Sequence, residues 1–381
     1  MQRFPENDII SLTGALPRYN LAESFGPNLT IGDILGDAGW RELEDRELGY
    51  GSAEGDPELR AMIARPLGLH ADDIIMTAGA VQALFLTAFA LCREGDEVVV
   101  TRPVFPPAHD VLSALGADIR GVDVAFDEGY RVDATAVARQ LSPRTRLVSL
   151  ASPQNPSGVS VPDAVLAEIA ASMAKICPEA VLLVDETYRE ATYGGETAQR
   201  SASWLPGRVV TCASLSKCHG APGLRVGWLA VPDPDLRKQF VLSKFNTIIA
   251  LPDVDQRLAV MLLRQAGHML PARAAHLAEG VVAVEDWIAA NSQWVEWVRP
   301  SAGALCCVRL KRSAFDESGV ERFYDCLPGL EVAVARGDWF GAEARVFRLG
   351  FGFLPTHDLR DALDRLTEAL RRTAREPAAA A

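Results

Sequence analysis

Residues 73–101, DIIMTAGAVQALFLTAFALCREGDEVVVT, decide the fold class of this chain. The stretch starts with a short β-branched run, turns at Ala78-Gly-Ala, continues into a helix-like segment at 81–92 and ends in a second β-branched run at 97–101. Short apolar runs that alternate with helices are typical of strands buried on both faces of a mostly parallel sheet. The stretch therefore predicts an α/β protein.

The same alternation continues along the chain, with further apolar runs at 145–150, 181–185, 208–212 and 227–231. From about residue 275 it changes to a long helical stretch, strand-like pieces at 304–310, 330–335 and 345–353, and a helix at 358–372. This change predicts two domains. We expect a large α/β domain at 45–274 and a smaller α+β domain formed by 1–44 together with 275–381.

Composition excludes several classes of protein. The chain has 381 residues, 49% of them hydrophobic, and a net charge of −12 without a basic stripe, which argues against nucleic acid and anionic membranes as partners. No basic and apolar leader is present in residues 1–20, and the most apolar stretch, 83–92, is about half of a membrane span. Seven cysteines without a CxxC pair favour a reducing, cytoplasmic location and no metal site.

Polar residues cluster directly after the predicted strands, at 78–82, 101–106, 152–158, 185–189 and 214–218. Parallel sheets bind ligands at the carboxyl ends of their strands, so this pattern indicates one site assembled from several loops. The simpler alternative is that strand ends are loops, which are polar in any protein.

Lys217 lies in the segment 213–227, ASLSKCHGAPGLRVG, directly after a predicted buried strand. Ser214, Ser216 and Arg225 surround it with hydroxyls and a fixed cation, which suit a phosphate group. A lone lysine in a loop is usually only solvated. This combination is much rarer, and it suggests an amine that forms a Schiff base with a phosphorylated aldehyde cofactor.

Three further residues follow strands in the same way. Asp185 could hold a proton on a ring nitrogen by charge pairing, or it could simply cap a helix. Tyr188 and Asn155 could donate hydrogen bonds to a phenolic oxygen, although an asparagine between prolines and a glycine is ordinarily a turn residue.

Other candidates carry weaker signals. Phe105 could stack on a cofactor ring or belong to the core. The sequence Gly79-Ala80-Val81 opens a predicted helix whose backbone N–H groups could bind a phosphate, but any strand-to-helix turn tolerates glycine. Arg348 is an arginine within an apolar strand, so it needs an anionic partner, either a substrate carboxylate or an internal acid.

Jointly these residues meet the requirements of pyridoxal phosphate, and between residues 50 and 353 the chain resembles the class I/II aminotransferases. These are fold-type I pyridoxal-phosphate enzymes related to aspartate aminotransferase. The resemblance implies a seven-stranded sheet between helices. It also implies that Lys217 forms the Schiff base, Asp185 pairs with the pyridine nitrogen, and Arg348 and Asn155 bind the substrate. The cofactor-binding residues that it implies are Tyr50, Gly79, Ala80, Val81, Phe105, Asn155, Asp185, Tyr188, Ser214, Ser216, Lys217 and Arg225.

The resemblance further implies an aminotransferase that moves the amino group of an L-amino acid to a 2-oxo acid, with Lys217 also acting as the base. Tyr50 would reach the neighbouring subunit, so a homodimer with shared active sites is expected. A lyase, cyclase or oxidase, of the capreomycidine-synthase-like kind, could start from the same carbanion. A non-catalytic module would lose Lys217, Asp185 or Arg348, and all three are present.

Two matters stay open at this point. The pocket wall around residues 18–24 contains Glu23, which could pair with a basic substrate side chain, and Arg18, which could pair with an acidic one. Residues 60–70 are compressed relative to the family pattern, which predicts a short surface helix there.

Overall fold

The computed structural model describes residues 2–14 and 17–375. The strands are β1 (Tyr19–Asn20), β2 (Ile74–Ala78), β3 (Glu97–Arg102), β4 (Asp118–Asp123), β5 (Thr145–Ala151), β6 (Val181–Asp185), β7 (Val209–Ser214), β8 (Val226–Ala230), β9 (Val295–Val298), β10 (Leu305–Leu310), β11 (Val332–Ala333), β12 (Ala335–Arg336) and β13 (Val346–Gly350). The helices are α1 (Ile31–Ile34), α2 (Asp37–Glu44), α3 (Pro57–Leu67), α4 (Gly79–Leu91), α5 (Pro106–Ala114), α6 (Ala134–Gln140), α7 (Asp163–Ile176), α8 (Pro234–Phe245), α9 (Asp253–Arg264), α10 (Ala266–Ala290), α11 (Glu317–Cys326) and α12 (Thr356–Thr373).

A seven-stranded sheet organises the larger part of the chain, in the order β2-β8-β7-β6-β5-β3-β4. Strands β3 to β7 run parallel, and β8 is antiparallel to both of its neighbours. The inner strands are apolar on both faces because helices cover both sides, as in β6, where Val181 to Val184 are all buried. The predicted α/β class with a mostly parallel sheet is confirmed.

Strand β4 was not predicted. It lies at the edge of the sheet, where only Val122 is buried, and its sequence DIRGVD has no continuous apolar run. An edge strand pairs on one side only, and charged side chains are common there. The periodicity that reveals a central strand is therefore missing from β4.

A four-stranded antiparallel sheet, β12-β13-β10-β9, packs with α10, α11 and α12 in a second core. The N-terminal segment joins this part of the molecule, since β1 pairs with β11 and Gly350 N donates to Leu21 O at 2.7 Å. A Cβ at Gly350 would lie 1.6 Å from the carbonyl oxygen of Glu23. Only a glycine in β13 lets residues 21–24 pass so closely.

Helix α3 has 11 residues, contains Pro66 and ends at Gly68 in the left-handed conformation. It occupies the stretch where the compressed sequence predicts a short helix. No helix within the described ranges is long and apolar enough to cross a bilayer. Among these same residues, no group of three or more His, Cys, Asp or Glu side chains is arranged to hold a metal ion.

Candidate active site

The carboxyl ends of three neighbouring strands bring the predicted residues together. Asn155 follows β5, Asp185 ends β6, and Lys217 lies three residues after the end of β7. These strands are adjacent and parallel in the order β5-β6-β7, so their following loops share one edge of the sheet. Side chains that are 30 or more residues apart in sequence thus surround one space.

Lys217 lies at the centre of this space. The pKa of its amine is lowered from 10.5 to about 8; burial is the main cause, the negative charges of Glu23 and Asp185 oppose the shift, and the positive charges of Arg348 and Arg225 add to it. Its Nζ lies 4.7 Å from the centre of the Phe25 ring. An amine with a pKa near 8 is partly neutral at physiological pH, and the neutral form is the nucleophile that an aldehyde requires.

Asp185 is held in place by its neighbour Thr187. The backbone N and the hydroxyl of Thr187 donate hydrogen bonds of 3.0 and 2.5 Å, and both fall on Oδ1 of the carboxylate. Burial raises the pKa of Asp185, and these hydrogen bonds and Lys217 only partly oppose the rise. A cation placed against Oδ2 would stabilise the ionised carboxylate, which fits a protonated ring nitrogen.

A hydrogen-bond network joins Arg348 to Tyr188. Arg348 Nη1 donates to Asn155 Oδ1 at 2.9 Å, and Asn155 Nδ2 approaches Tyr188 Oη at 3.5 Å. Tyr188 Oη also shares a hydrogen bond of 2.9 Å with Ser24 Oγ. Burial raises the pKa of Tyr188 to about 12, so its hydroxyl stays protonated and able to donate at neutral pH.

Arg348 is 3% exposed and has no carboxylate partner among the described residues. Its Nη2 donates to the carbonyl of Ala22 at 2.6 Å, its guanidinium stacks over the Phe340 ring at 4.8 Å, and its buried Nε has no hydrogen-bond partner. A buried cation without an anion is costly. Of the two alternatives left open by the sequence, the geometry favours a ligand carboxylate over an internal acid.

Another part of the site can bind an anion, and we call it the cradle. It comprises Gly79, Ala80, Val81, Ser214, Ser216 and Arg225. Gly79, with φ +74°, Ala80 and Val81 begin α4, whose first backbone N–H groups have no partner within the helix. A Cβ at Gly79 would lie 2.3 Å from Nη2 of Arg225, so only glycine leaves room for this guanidinium.

Two serines complete the cradle. Arg225 Nη1 donates to Ser216 Oγ at 3.3 Å, and Ser216 N donates to Ser214 Oγ at 3.4 Å. Both serines are buried. A helix N-terminus, a guanidinium and two hydroxyls suit a phosphate, so the donor set fits the cofactor that the sequence predicts.

Two further predicted residues lie outside the hydrogen-bond network described above. Phe105 is partly buried at the start of α5 and packs with the core of the large sheet. Tyr50 is 86% exposed, and its side chain makes no hydrogen bond to another described residue. The fold therefore does not bring Tyr50 into this chain's own cradle.

The structure adds residues that the sequence did not indicate as part of the site. Phe25 faces Lys217, Thr187 orients Asp185, and Phe340 stacks on Arg348. Thr187 had a usable signal, because a hydroxyl two residues after an aspartate commonly bonds to it. Phe25 and Phe340 reach the site only through long-range packing, so nothing in their local sequence indicates the contact.

A cavity of about 270 Å³ adjoins Lys217 and Tyr188. Its walls are mostly apolar, and Glu190 and Arg273 are among its polar lining residues. Arg273 Nε donates to the Cys218 carbonyl at 2.9 Å, which ties α10 to the lysine loop. The arrangement leaves space for a small molecule beside the amine.

Comparison with known proteins agrees with this geometry. The sequence model of the family described as aminotransferase class I and II matches residues 28–366. Capreomycidine synthase of Streptomyces vinaceus is 30% identical over 363 residues, which cover 94% of this chain and 91% of that protein. Arginine–pyruvate transaminase AruH of Pseudomonas aeruginosa is 37% identical over 194 residues, 48% of each chain.

A solved structure, the pyridoxal-phosphate-dependent cyclase OrfR, superimposes with a TM-score of 0.84 at 26% identity and covers 98% of both chains. The fold, the family match and the set of residues around Lys217 all indicate one cofactor. The chain belongs to the aminotransferase class I and II family of pyridoxal-phosphate-dependent enzymes.

Proposed function

We propose that this enzyme transfers the amino group of an L-amino acid to a 2-oxo acid. The proposal depends mainly on one observation: the partly buried Lys217, whose pKa is lowered to about 8, shares the site with the partly buried Asp185 and with Arg348, a buried arginine without a carboxylate partner among the described residues. These are the three groups that α-proton removal from an amino acid requires in this family.

Arg348 binds and orients the substrate. Its guanidinium can form two parallel hydrogen bonds with the α-carboxylate, and Asn155 Oδ1 holds one of its nitrogens in position. A substrate held at this point has its α-carbon close to Lys217. Fixing the two groups in one geometry supplies a large part of the rate gain.

Lys217 would hold the cofactor covalently through Nζ and, when the substrate amine takes its place, would accept the α-proton at Nζ. Pyridoxal phosphate, when bound, supplies the electron sink for the resulting negative charge. Asp185 would keep the ring nitrogen protonated, Tyr188 and Asn155 would donate to the phenolic oxygen, and the cradle at Gly79, Ala80, Val81, Ser214, Ser216 and Arg225 would bind the phosphate. Nζ of Lys217 would then return the proton, and hydrolysis by water would release the 2-oxo acid and leave the amino group on the cofactor.

The remaining assignments belong to the same proposal. Phe105 would stack on the cofactor ring, and the exposed Tyr50 would reach the cradle of a second copy, so that the enzyme would act as a homodimer with shared sites in the cytoplasm. The two domains would comprise 45–274, and 1–44 with 275–381.

A second reaction is supported by the relatives. Capreomycidine synthase matches over nearly the whole chain, and OrfR is a cyclase of the same fold. Elimination, cyclisation or oxidation would use the same removal of the α-proton by Lys217.

One experiment separates the two reactions. Purified enzyme is incubated with each amino acid, with and without a 2-oxo acid, and products are identified by mass spectrometry. An aminotransferase turns over only when the oxo acid is present, whereas a cyclase or lyase turns over without it. Lys217→Ala protein is the control, and transamination by it at the wild-type rate would refute the assignment of Lys217.

A further inference from the structure

Ser24 carries a buried hydroxyl that the proposed reaction does not use. The residue is 2% exposed, and its Oγ lies 2.9 Å from Oη of Tyr188. Among the described residues this is the only hydrogen bond of the Ser24 hydroxyl. Buried polar groups are normally hydrogen-bonded, and here the one partner is the tyrosine that would bind the cofactor. The hydroxyl is therefore placed to act on Tyr188.

The backbone on both sides of Ser24 is held in place. Before it, the carbonyl of Ala22 accepts a hydrogen bond of 2.6 Å from Arg348 Nη2. After it, the Phe25 ring packs edge-on against the Phe353 ring, with 5.5 Å between the ring centres. Ser24 thus stays beside Tyr188 through the contacts of its neighbours as well as through its own hydrogen bond.

The second polar contact of Tyr188 Oη has a fixed direction. Arg348 can only donate, and its Nη1 bonds to Asn155 Oδ1 at 2.9 Å, which turns Nδ2 of the same amide towards Tyr188 at 3.5 Å. Because Nδ2 also can only donate, Tyr188 Oη is the acceptor in this contact. A separation of 3.5 Å is long for a hydrogen bond, so Ser24 makes the stronger contact with Oη.

The direction of the hydrogen bond between Ser24 and Tyr188 matters because Tyr188 has only one phenolic proton. If Oη donated to Ser24, no proton would remain for a hydrogen bond to the cofactor. If Ser24 donates, Oη accepts from Ser24 and Asn155 and keeps its own proton for another acceptor. Burial raises the pKa of Tyr188 to about 12, so this proton is present at neutral pH.

We propose that Ser24 is a positioning residue, which donates its hydroxyl proton to Tyr188 Oη and thereby directs the Tyr188 proton to the phenolic oxygen of the cofactor. This role rests on the proposed function of Tyr188 as a donor to that oxygen. It adds to the site a residue 164 positions away in the chain, which meets Tyr188 only through the packing of the N-terminal segment.

The test is the pH dependence of the visible absorption of the cofactor bound to Lys217, measured in the holoenzyme without substrate. A hydrogen bond donated to the phenolic oxygen stabilises its ionised form and lowers the pH at the midpoint of the absorption change. Ser24→Ala should raise this midpoint by about half a pH unit to one unit, the usual range for one hydrogen bond. Ser24→Thr keeps a hydroxyl and should keep the wild-type midpoint.

A double-mutant cycle shows whether Ser24 acts through Tyr188. Tyr188→Phe should raise the midpoint by itself, since the donor is lost, and Ser24→Ala should cause no further shift in that background. Ser201→Ala is the matched control. Ser201 is also buried, at 5% exposure, but its hydroxyl accepts a hydrogen bond of 3.3 Å from Ser203 N, so the midpoint should not change.

A Ser24→Ala enzyme with the wild-type midpoint, together with a shifted Tyr188→Phe enzyme, would overturn the role of Ser24 alone. The same conclusion would follow if Ser24→Ala caused an equal shift in the Tyr188→Phe background, or if Ser24→Thr followed the alanine variant. An unshifted Tyr188→Phe enzyme would contradict the proposed role of Tyr188 and, with it, that of Ser24. Because no substrate is present, the result is the same for an aminotransferase and a cyclase.

Discussion

Replacing Lys217 by methionine in the cofactor-free protein should make the fold more stable at neutral pH. Methionine keeps the length of the side chain and its contact with the Phe25 ring, which lies 4.7 Å from the lysine amine. It removes the ammonium group, which is buried with no covalent partner when the cofactor is absent. The stability of the apoprotein is therefore reduced by the group that the proposed function requires.

The size of the effect follows from the pKa of Lys217. Its value falls from 10.5 to about 8, mainly because of burial. At about 1.4 kcal/mol for each pKa unit, protonation of the buried amine costs about 3 kcal/mol of folding free energy. Below pH 8 the amine is protonated in both the folded and the unfolded chain, so the whole cost is present there.

Between pH 8 and 10.5 the folded chain releases the proton while the unfolded chain keeps it. The unfolded state then binds more protons, so the stability of the wild type rises with pH towards that of the variant. The difference between the two proteins should be about 3 kcal/mol at pH 7 and about 1 kcal/mol at pH 9.5. Lys244, whose pKa burial also lowers to about 8, is present in both proteins and cancels from the comparison.

Urea unfolding of both cofactor-free proteins, followed by circular dichroism at equal protein concentration, measures the difference. Lys238→Met is the matched control, because Lys238 is exposed on α8 and its charge stays in water whether the chain is folded or not. A Lys217→Met protein that is less stable than the wild type at pH 7 would refute the reasoning. A stability difference that is the same at pH 7 and pH 9.5 would refute it equally.

Two further substitutions test the two ends of the site. Arg348→Lys should raise KM for the amino acid by about 10-fold or more with the cofactor still bound. The reason is that an ammonium group can neither form two parallel hydrogen bonds with a carboxylate nor hold Asn155 as the guanidinium does. An unchanged KM in steady-state kinetics would count against the assignment of Arg348. Gly79→Ala should lower cofactor affinity by about 10-fold, since it strains a backbone at φ +74° and displaces Arg225. Gly129→Ala, at φ +66° with no atom within 4 Å of the new Cβ, is its control, and equal cofactor absorbance in the two purified variants would contradict the cradle.

Much of the fold could be predicted because buried strands carry their own signal. The run at 181–185 became β6, and the pieces at 304–310 and 345–353 became β10 and β13 with ends shifted by a few residues. Helix α4 begins at Gly79, where the sequence Gly79-Ala80-Val81 is expected to open a helix, and the left-handed glycine is part of its first turn. The edge strand β4 was not predicted, because a strand that is buried on one side only has no continuous apolar run.

The candidate site likewise contains residues with a local sequence signal and residues without one. Asp185 and Lys217 could be found from sequence, because each follows a buried strand and has an unusual local motif. The contact of Phe25 with Lys217 could not, since the two residues are almost two hundred positions apart and meet only when the N-terminal segment packs on β13.

The amino-acid sequence alone predicted the α/β class, the loops after the strands as the place of the site, and Lys217 as the candidate reactive amine. These depend on local patterns of burial and on residue chemistry, which are readable along the chain. Only the tertiary structure decided that Arg348 lacks a carboxylate partner among the described residues, that the side chain of Arg18 is directed to Asp358, and that the charge of Glu23 acts on the amine of Lys217. Such pairings depend on distances between segments that are remote in sequence, and packing sets these distances.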